Sequence, residues 1–317
     1  MMAQESSDHS RTSSTCDLFD SLCSEVLGEI FVTCTLRDTY YGEGTNPSLS
    51  SAPINVSQVC RRWRQVALST PRLWSYFFLK LWNVDSDSSS DSRYVRRVIP
   101  VIKTWIGRSS IAPLDFEIYL SPGNFAEETV EEIESLLRIL IEQRERWRSV
   151  SINYKFRFTK WFDVTFSNMH MLQKLDLVCC SARVCVARLD FSRSPELRSL
   201  SLEGHIKIVD RSVIPSLTNI SITSNTYGVF DTAVSVQYAF PTFHDCFNIL
   251  RMAPSLQTLF AKLVGSSERG TFEHIKMDKL RWIRLQLGST PSQATSKHFA
   301  ASTGQNSQTC ACTVPKW

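Results

Sequence analysis

The chain has few of the residues that would make it fibrous or disordered, and it lacks long apolar runs. Its 317 residues include only 11 Gly and 12 Pro, whereas 43% are hydrophobic. This composition excludes a collagen-like or wholly disordered chain, because apolar residues are numerous enough to form cores. Its longest apolar runs, such as Val98 to Ile102 and Tyr76 to Leu79, are far shorter than the roughly 18 residues of a membrane span. We expect no membrane partner.

The N-terminus also lacks the apolar run of a secretory signal peptide. Met1 to Thr15 consists mostly of polar residues, and a signal peptide requires a continuous apolar region. We therefore expect a flexible leader over residues 1–16 and a location in the cytoplasm, the nucleus or both. At roughly 150 residues per domain, the length predicts two domains.

Neither charge nor cysteine spacing indicates a ligand. The formal net charge is only +4, and a nucleic-acid surface would need a clustered basic stripe. The densest basic cluster comprises Arg61, Arg62, Arg64 and Arg72. The helical spacing places the neighbouring Trp63 on a buried stripe, away from these arginines. No nucleic-acid partner is therefore expected. The ten cysteines lack the C-x-x-C spacing of a zinc site, so we predict reduced thiols and no metal. The closest groups are Cys179, Cys180 and Cys185, and Cys310 with Cys312.

No catalytic motif is recognisable in the sequence. It contains no G-x-S-x-G, no glycine-rich phosphate loop and no H-E-x-x-H. His244, Asp245 and Cys246 are adjacent, so their side chains point in different directions and cannot act as nucleophile and base. We interpret the scattered histidines, including His170, His205 and His274, as surface or structural residues. The sequence predicts a protein that is not an enzyme and needs no cofactor.

The first structured segment has the apolar spacing of an amphipathic helix. Ser24 is its predicted N-cap, and Glu25 lies in the first turn, where negative charge is favourable. Gly28 weakens this helix by about 1 kcal/mol relative to Ala. The apolar positions are Leu22, Val26, Leu27, Ile30, Phe31 and Cys34.

A polar loop from Arg37 to Pro53 separates this helix from a second one. We predict a single helix with one buried stripe, ending before Pro71. Thr70 and Pro71 then predict the start of a short third helix that carries Leu73 and Trp74. The stripe of the second helix comprises Val56, Val59, Cys60, Trp63, Val66 and Ala67.

Four further segments lie between the N-terminal helices and the repeats. Tyr76 to Trp82 is predicted to be extended, and Arg93 to Arg108 to be a helix that Pro100 kinks or divides. Glu127 to Arg146 is predicted to form another helix. Asp85 to Ser92 reads as a solvated connector, with a phosphorylation site for an acid-directed kinase as the alternative.

A repeated pattern, apolar-x-x-apolar-x-apolar, continues to about residue 288. Its spacing fits the roughly 20–29 residues of leucine-rich repeats, apart from a longer step that we attribute to an insertion around Tyr227 to Pro241. Cys180 and Asn225 occupy the Asn or Cys position of that consensus, and Leu114/Phe116/Ile118 could be the first strand. The repeats are Trp147/Val150/Ile152, Leu172/Leu175/Leu177, Leu197/Leu200/Leu202, Leu217/Ile220/Ile222, Leu256/Leu259/Ala261 and Leu280/Ile283/Leu285.

Such units bury their apolar faces by stacking, with parallel strands on the concave side. The predicted fold class is therefore α/β, with a leucine-rich-repeat-like solenoid over residues 111–288. A concave surface of this kind suits the binding of another macromolecule. Residues 289–317 break the pattern with Ser, Thr, Gln and Ala, and we predict a disordered tail without a capping repeat.

Three N-terminal segments resemble the F-box of basidiomycete F-box proteins. They are LCSEVLGEIF at residues 22–31, VCRRWR at residues 59–64 and STPRLW at residues 69–74. The resemblance covers about residues 18–80, and the downstream segments around Pro113-Leu114 and from Arg146 to Val150 resemble the repeat region of the same proteins. The family's Leu-Pro is replaced by Leu22-Cys23 here, so the proline at the helix start is missing.

The resemblance implies a three-helix F-box over residues 18–80, followed by a linker and helix over 81–110 and then the solenoid. It implies a non-catalytic substrate receptor that docks a Skp-family adaptor, and through it a cullin-RING ubiquitin ligase, and that holds an unknown protein substrate on its repeats. The alternatives are a leucine-rich-repeat scaffold that no longer binds the adaptor, or an unrecognised enzyme. The implied adaptor-binding residues are Leu22, Glu25, Val26, Leu27, Ile30, Phe31, Val59, Cys60, Trp63, Leu73 and Trp74. Some of these must belong to the core of the F-box itself, since Val59 and Trp63 lie on the interior stripe.

Overall fold

The structure is an α/β fold with an open, mainly parallel sheet. This computed structural model describes residues 21–38, 52–81, 88–120, 127–154, 165–179, 187–204, 206–208, 212–223, 243–264, 275–288 and 298–300. Within them lie six α-helices and two β-sheets, the larger of which has nine strands. The predicted α/β class is confirmed.

Among the described residues, three α-helices and a 3₁₀ turn precede the first strand. These are α1 (Ser24–Asp38), α2 (Ala52–Val59), α3 (Arg61–Ser69) and the 3₁₀ turn Pro71–Trp74, followed by β1 (Tyr76–Leu81). As predicted, the 3₁₀ turn begins with proline, and Leu73 and Trp74 are buried. Cys23, rather than the predicted Ser24, precedes the first helical residue, and its carbonyl accepts a hydrogen bond from the Leu27 amide at 3.1 Å.

The predicted single helix is divided in two at Cys60. Cys60 has an extended backbone, and its Sγ accepts a hydrogen bond from the Trp63 amide at 3.4 Å, so that it caps α3. This break rotates α2 relative to α3. The prediction that Val59 shares the buried stripe of Val66 and Ala67 is therefore wrong, because Val59 is 61% exposed.

Two longer helices follow, with one strand between them and another after the second helix. They are α4 (Ser88–Arg108) and α5 (Glu127–Glu142), and the strands are β2 (Leu114–Leu120) and β3 (Trp147–Tyr154). A single α-helix continues through Pro100, so Pro100 does not divide it. Ser88 to Ser92 are helical, which corrects the predicted connector, and Arg96 joins α4 to α5 through ion pairs with Glu128 and Glu132.

The large sheet contains a strand at every predicted repeat. Its order is β1-β2-β3-β5-β7-β9-β10-β11-β12, and its first eight strands are parallel. The later strands are β5 (Lys174–Cys179), β7 (Ser199–Gly204), β9 (Asn219–Thr223), β10 (Thr258–Val264), β11 (Trp282–Gly288) and β12 (His298–Ala300). The short β12 pairs antiparallel with β11. The segment 289–317, which was predicted to be disordered, therefore includes at least one strand.

The middle apolar residues of the repeats are direct neighbours across the sheet. They form one continuous ladder, and nearly all of its members are buried. The strand predicted at Leu114/Phe116/Ile118 belongs to this ladder as β2, and β1 extends it by one further strand toward the N-terminus. A second ladder two residues further along lies on the same core side. The first ladder comprises Phe77, Phe116, Val150, Leu175, Leu200, Ile220, Leu259 and Ile283.

A second, three-stranded sheet was not predicted. It consists of β4 (Thr165–Phe166), β6 (Ala187–Leu189) and β8 (Ile206–Ile208), paired in parallel. From β3 to β9 the chain passes alternately between the large and the small sheet. The remaining helix, α6 (Phe243–Met252), lies between β9 and β10.

Several predicted features lie outside the described residues. They are the Asn or Cys positions Cys180 and Asn225, the insertion around 227–241, the cysteines Cys185, Cys310 and Cys312, and the histidines His205 and His274. Among the residues that are described, none of the helices has the length and apolar character needed to cross a membrane.

Candidate functional site

Three large apolar side chains on the first two helices are exposed, although apolar side chains are usually buried in the core. Val26 and Ile30 on α1 are 46% and 39% exposed, and Val59 at the end of α2 is 61% exposed. We call these three residues the N-terminal apolar patch. α1 and α2 contact each other, so the three exposed residues lie on neighbouring helices.

A shallow depression of about 560 Å³ lies along the exposed side of α1. The described residues that line it are Glu25, Val26, Glu29, Ile30, Thr33 and Cys34. They recur at spacings of one helical turn, so they form one continuous face of α1. This face has apolar residues in the middle and carboxylates toward its N-terminal end.

The opposite face of α1 is packed into the core. Leu27 and Phe31 are at most 1% exposed, as are Leu73 and Trp74 in the 3₁₀ turn. The Phe31 ring also packs against Trp63, with centroids 4.9 Å apart. α1 therefore has one buried and one exposed apolar side, which is unusual for a surface helix.

The implied adaptor-binding residues divide into three groups by exposure. Glu25, Val26, Ile30, Val59 and Cys60 are exposed, and Leu22 and Trp63 are half-buried. The remaining four are buried and cannot touch a partner directly, namely Leu27, Phe31, Leu73 and Trp74. The structure thus brings the exposed members to the surface of two adjacent helices and places the buried members underneath.

Polar contacts join α1 and the residues just before it to α3 and to the segment that follows α3. Arg72 Nη1 forms an ion pair with Glu29 Oε1 at 2.6 Å, and Arg62 donates a hydrogen bond to the carbonyl of Leu22. Gly28 allows the close approach of Thr70, because a Cβ at this position would lie 2.9 Å from Thr70 Oγ1. The helix-weakening glycine therefore has a packing role.

The N-terminal end of the exposed α1 face carries negative charge. Hydrogen bonds from its own backbone amide and from the side chain of Cys23 lower the pKa of Glu25. Because the residue lies in the first turn, the positive end of the helix dipole adds to this effect. Glu25 is therefore ionised throughout the physiological pH range.

Within the described part of the chain, no three His, Cys, Asp or Glu side chains are close enough together to hold a metal ion. His170 is exposed. The side chains of His244, Asp245 and Cys246 lie outside the described set.

Sequence reasoning missed the exposed position of Val59, because it assumed one continuous helix. The signal for a break was the Cys60 side chain followed three residues later by Trp63, since short polar or sulfur side chains can cap a helix. Comparison with known proteins gave no match to a protein-family model, a curated protein or a solved structure.

Proposed function

We propose that the chain is a non-catalytic substrate receptor of a Skp-cullin-F-box ubiquitin ligase. In this role, helices α1 to α3 are the F-box, and they dock a Skp-family adaptor through the N-terminal apolar patch. The observation that carries the proposal is the exposure of Val26, Ile30 and Val59 within the segments that resemble the F-box. The protein would act in the cytoplasm, the nucleus or both.

The exposed patch has the character of a protein-binding surface. Exposed apolar side chains grouped on one face commonly mark interaction sites. Val26 and Ile30 lie one turn apart on the same face of α1, and the Glu25 and Glu29 carboxylates beside them supply a polar rim. The buried residues Leu27 and Phe31 hold α1 so that this surface is preformed.

The parallel strands support the second half of the proposal, a leucine-rich-repeat solenoid that binds the target. Their apolar residues align in ladders from β1 to β11, so that each unit buries its apolar face against its neighbours. The receptor would hold its target near the ubiquitin-loaded conjugating enzyme. Its contribution to the reaction would then be proximity, and no residue of the chain would take part in the chemistry.

Adaptor binding tests the proposal directly. We expect the purified full chain to bind a Skp-family adaptor in isothermal titration calorimetry, and a Val26→Asp/Ile30→Asp variant to bind it at least about a hundredfold more weakly, because two apolar contacts would become buried charges. Phe31 is not used, because a charge at this buried position would unfold the module.

The matched control makes the same substitutions at exposed apolar residues elsewhere. Met171 and Val213 are 39% and 60% exposed and lie outside the helical module. A Met171→Asp/Val213→Asp variant should bind the adaptor as the wild type does. Absence of binding by the wild type at low salt and high concentration would contradict the ligase role and favour the scaffold alternative.

A further inference from the structure

The large sheet has a second face, opposite the apolar ladders. Side chains along a strand alternate between faces, so the residues between the ladder positions form this open face. One row of it crosses the strands from β1 to β11 and comprises Phe78, Glu117, Ser151, Asp176, Ser201, Ser221, Phe260 and Arg284. We call it the middle row.

Small hydroxyl side chains occupy the centre of the middle row, and large rings occupy both ends. Ser151, Ser201 and Ser221 lie between the aromatic residues. At one end the rings of Phe78 and Tyr119 are 5.5 Å apart. At the other end, the Arg284 guanidinium lies over the Phe260 ring, 5.6 Å from its centroid. The open face is therefore low in the middle and raised at both ends.

The low part of the open face is acidic. Glu117 and Asp176 belong to the middle row, and Glu203 lies on β7 in the next row. Among the described residues, none of these three carboxylates forms an ion pair; Glu117 accepts a hydrogen bond from Tyr119 and Asp176 accepts one from Ser151. Among the described residues of the open face, Lys174 on β5 adds an opposing charge near the centre, and Lys80 on β1 adds another at the edge of the sheet.

The charge has the opposite sign on the last strands. Lys262 on β10 and Arg284 on β11 are on the open face, and the open-face residues of β9 to β11 include no carboxylate. Asp115 is already neutralised, because Arg148 Nε donates to its Oδ1 at 2.9 Å. The face therefore changes from negative over β2 to β7 to positive over β10 and β11.

We propose that the open face of the large sheet binds an extended protein segment whose central side chains are lysine or arginine. The inference rests on the proposed function, because this segment would belong to the ubiquitination target. Charge complementarity selects the basic segment, and the short side chains of the half-buried Ser201 and Ser221 leave room for long side chains beside the buried Ser151. A nucleic acid would place its phosphates against Glu117, Asp176 and Glu203 and would be repelled.

The dimensions of the face define the length of the segment. Neighbouring strands are about 4.8 Å apart, so the five steps from β2 to β10 span about 24 Å. An extended chain rises about 3.3 Å per residue, and about seven residues therefore cross from Tyr119 to Phe260. A segment of this length has its ends beside the rings and its middle over Asp176 and Glu203.

A defined peptide tests the proposal. The probe is a fluorescein-labelled twelve-residue peptide of alternating lysine and serine, and its counterpart contains glutamate in place of lysine. Because the whole chain carries a net charge of +4, binding of the lysine peptide reports a local acidic surface. We expect fluorescence anisotropy with the full-length chain at low salt to show binding of the lysine peptide and none of the glutamate peptide.

Charge-neutralising variants locate the binding surface. Asp176→Asn combined with Glu203→Gln keeps the side-chain shapes and should weaken binding of the lysine peptide by about tenfold. The matched control, Glu196→Gln combined with Asp278→Asn, removes two exposed carboxylates outside the strands and should leave the affinity within about twofold. No binding by the wild type, equal binding of the glutamate peptide, or an unaltered Asp176/Glu203 variant would overturn the inference.

The adaptor assay separates this inference from the proposed function. The Asp176→Asn/Glu203→Gln variant should bind the Skp-family adaptor like the wild type, because its substitutions are on the sheet. If the adaptor binds and the lysine peptide does not, the open-face inference is wrong while the ligase role stands. If the lysine peptide binds and the adaptor does not, the open face is supported as a peptide-binding surface and the ligase role is rejected.

Discussion

Trp74 and Trp147 make the same hydrogen bond in two successive parts of the chain. The indole Nε1 of Trp74 donates to the carbonyl of Ala67 at 2.7 Å, and that of Trp147 donates to the carbonyl of Leu140 at 3.0 Å. In both cases the acceptor is seven residues earlier, in or at the end of a helix. Both tryptophans are at most 1% exposed; Trp147 is the first residue of β3, and Trp74 lies two residues before β1.

Removing one of these indole donors should destabilise the fold. Trp147→Phe leaves the Leu140 carbonyl without its partner and reduces the buried volume, so we expect the free energy of unfolding to fall by about 2–3 kcal/mol. Urea denaturation followed by circular dichroism measures this change. Trp282→Phe is the control, since Trp282 is 46% exposed and should change stability by less than about 0.5 kcal/mol. Equal stability of the two variants would contradict the argument.

Gly28 and Thr70 should be energetically coupled. In the wild-type background, Gly28→Ala places a methyl group against Thr70 Oγ1 and disturbs its hydrogen bond to the Val66 carbonyl, and we expect a loss of about 1 kcal/mol. In a Thr70→Ala background the same substitution should stabilise by up to about 1 kcal/mol, because alanine favours the helix. A double-mutant cycle from thermal denaturation measures the coupling. Additive effects would show that no close contact exists.

A better cap at position 60 should stabilise the helical module. The Cys60 thiol is a weak acceptor for the Trp63 amide, whereas a serine hydroxyl is among the preferred N-cap groups. We expect Cys60→Ser to raise the free energy of unfolding by about 0.5–1 kcal/mol. Cys34→Ser, an exposed cysteine within α1, is the control and should give no such gain. A loss of stability in Cys60→Ser would rule out the capping role.

Alkaline pH should destabilise the protein in part through Tyr76. Burial, and secondarily the charges of Glu117, Tyr119 and Asp115, raise the pKa of Tyr76. The unfolded chain releases this proton near pH 10 while the folded chain retains it, so the stabilisation is complete below pH 10 and is lost as the pH rises further. Urea midpoints measured from pH 8 to pH 11 should fall less steeply above pH 10 for Tyr76→Phe than for the wild type. Identical slopes would contradict the raised pKa.

The strands of the large sheet could be predicted because their apolar spacing is regular. The middle positions of the six predicted repeats became hydrogen-bonded neighbours, with Val150 opposite Leu175 and Leu175 opposite Leu200. The same spacing at Trp74, Phe77 and Leu79 could have identified β1 as the first strand of this sheet. The extended conformation predicted for Tyr76 to Trp82 is confirmed over Tyr76–Leu81, but its place in the sheet was not predicted, because the F-box resemblance extends through this segment.

Other elements were missed for physical reasons. The strands of the small sheet are two or three residues long, too short for alternation to be visible. The break at Cys60 depends on one side chain that caps a helix, and periodicity alone does not detect it. The row of charged residues on the open face could not be predicted either, because the strand register determines that residues such as Glu117 and Asp176 lie in one row.

The connection between the 3₁₀ turn and β1 is very short. Only Ser75 separates Trp74 from the first residue of β1, and its carbonyl accepts a hydrogen bond from the Asp115 amide at 2.9 Å. The helical module and the sheet are therefore rigidly connected, since neither can rotate relative to the other without breaking strand pairing. A partner bound to α1 and α2 would be held in a fixed orientation relative to the sheet.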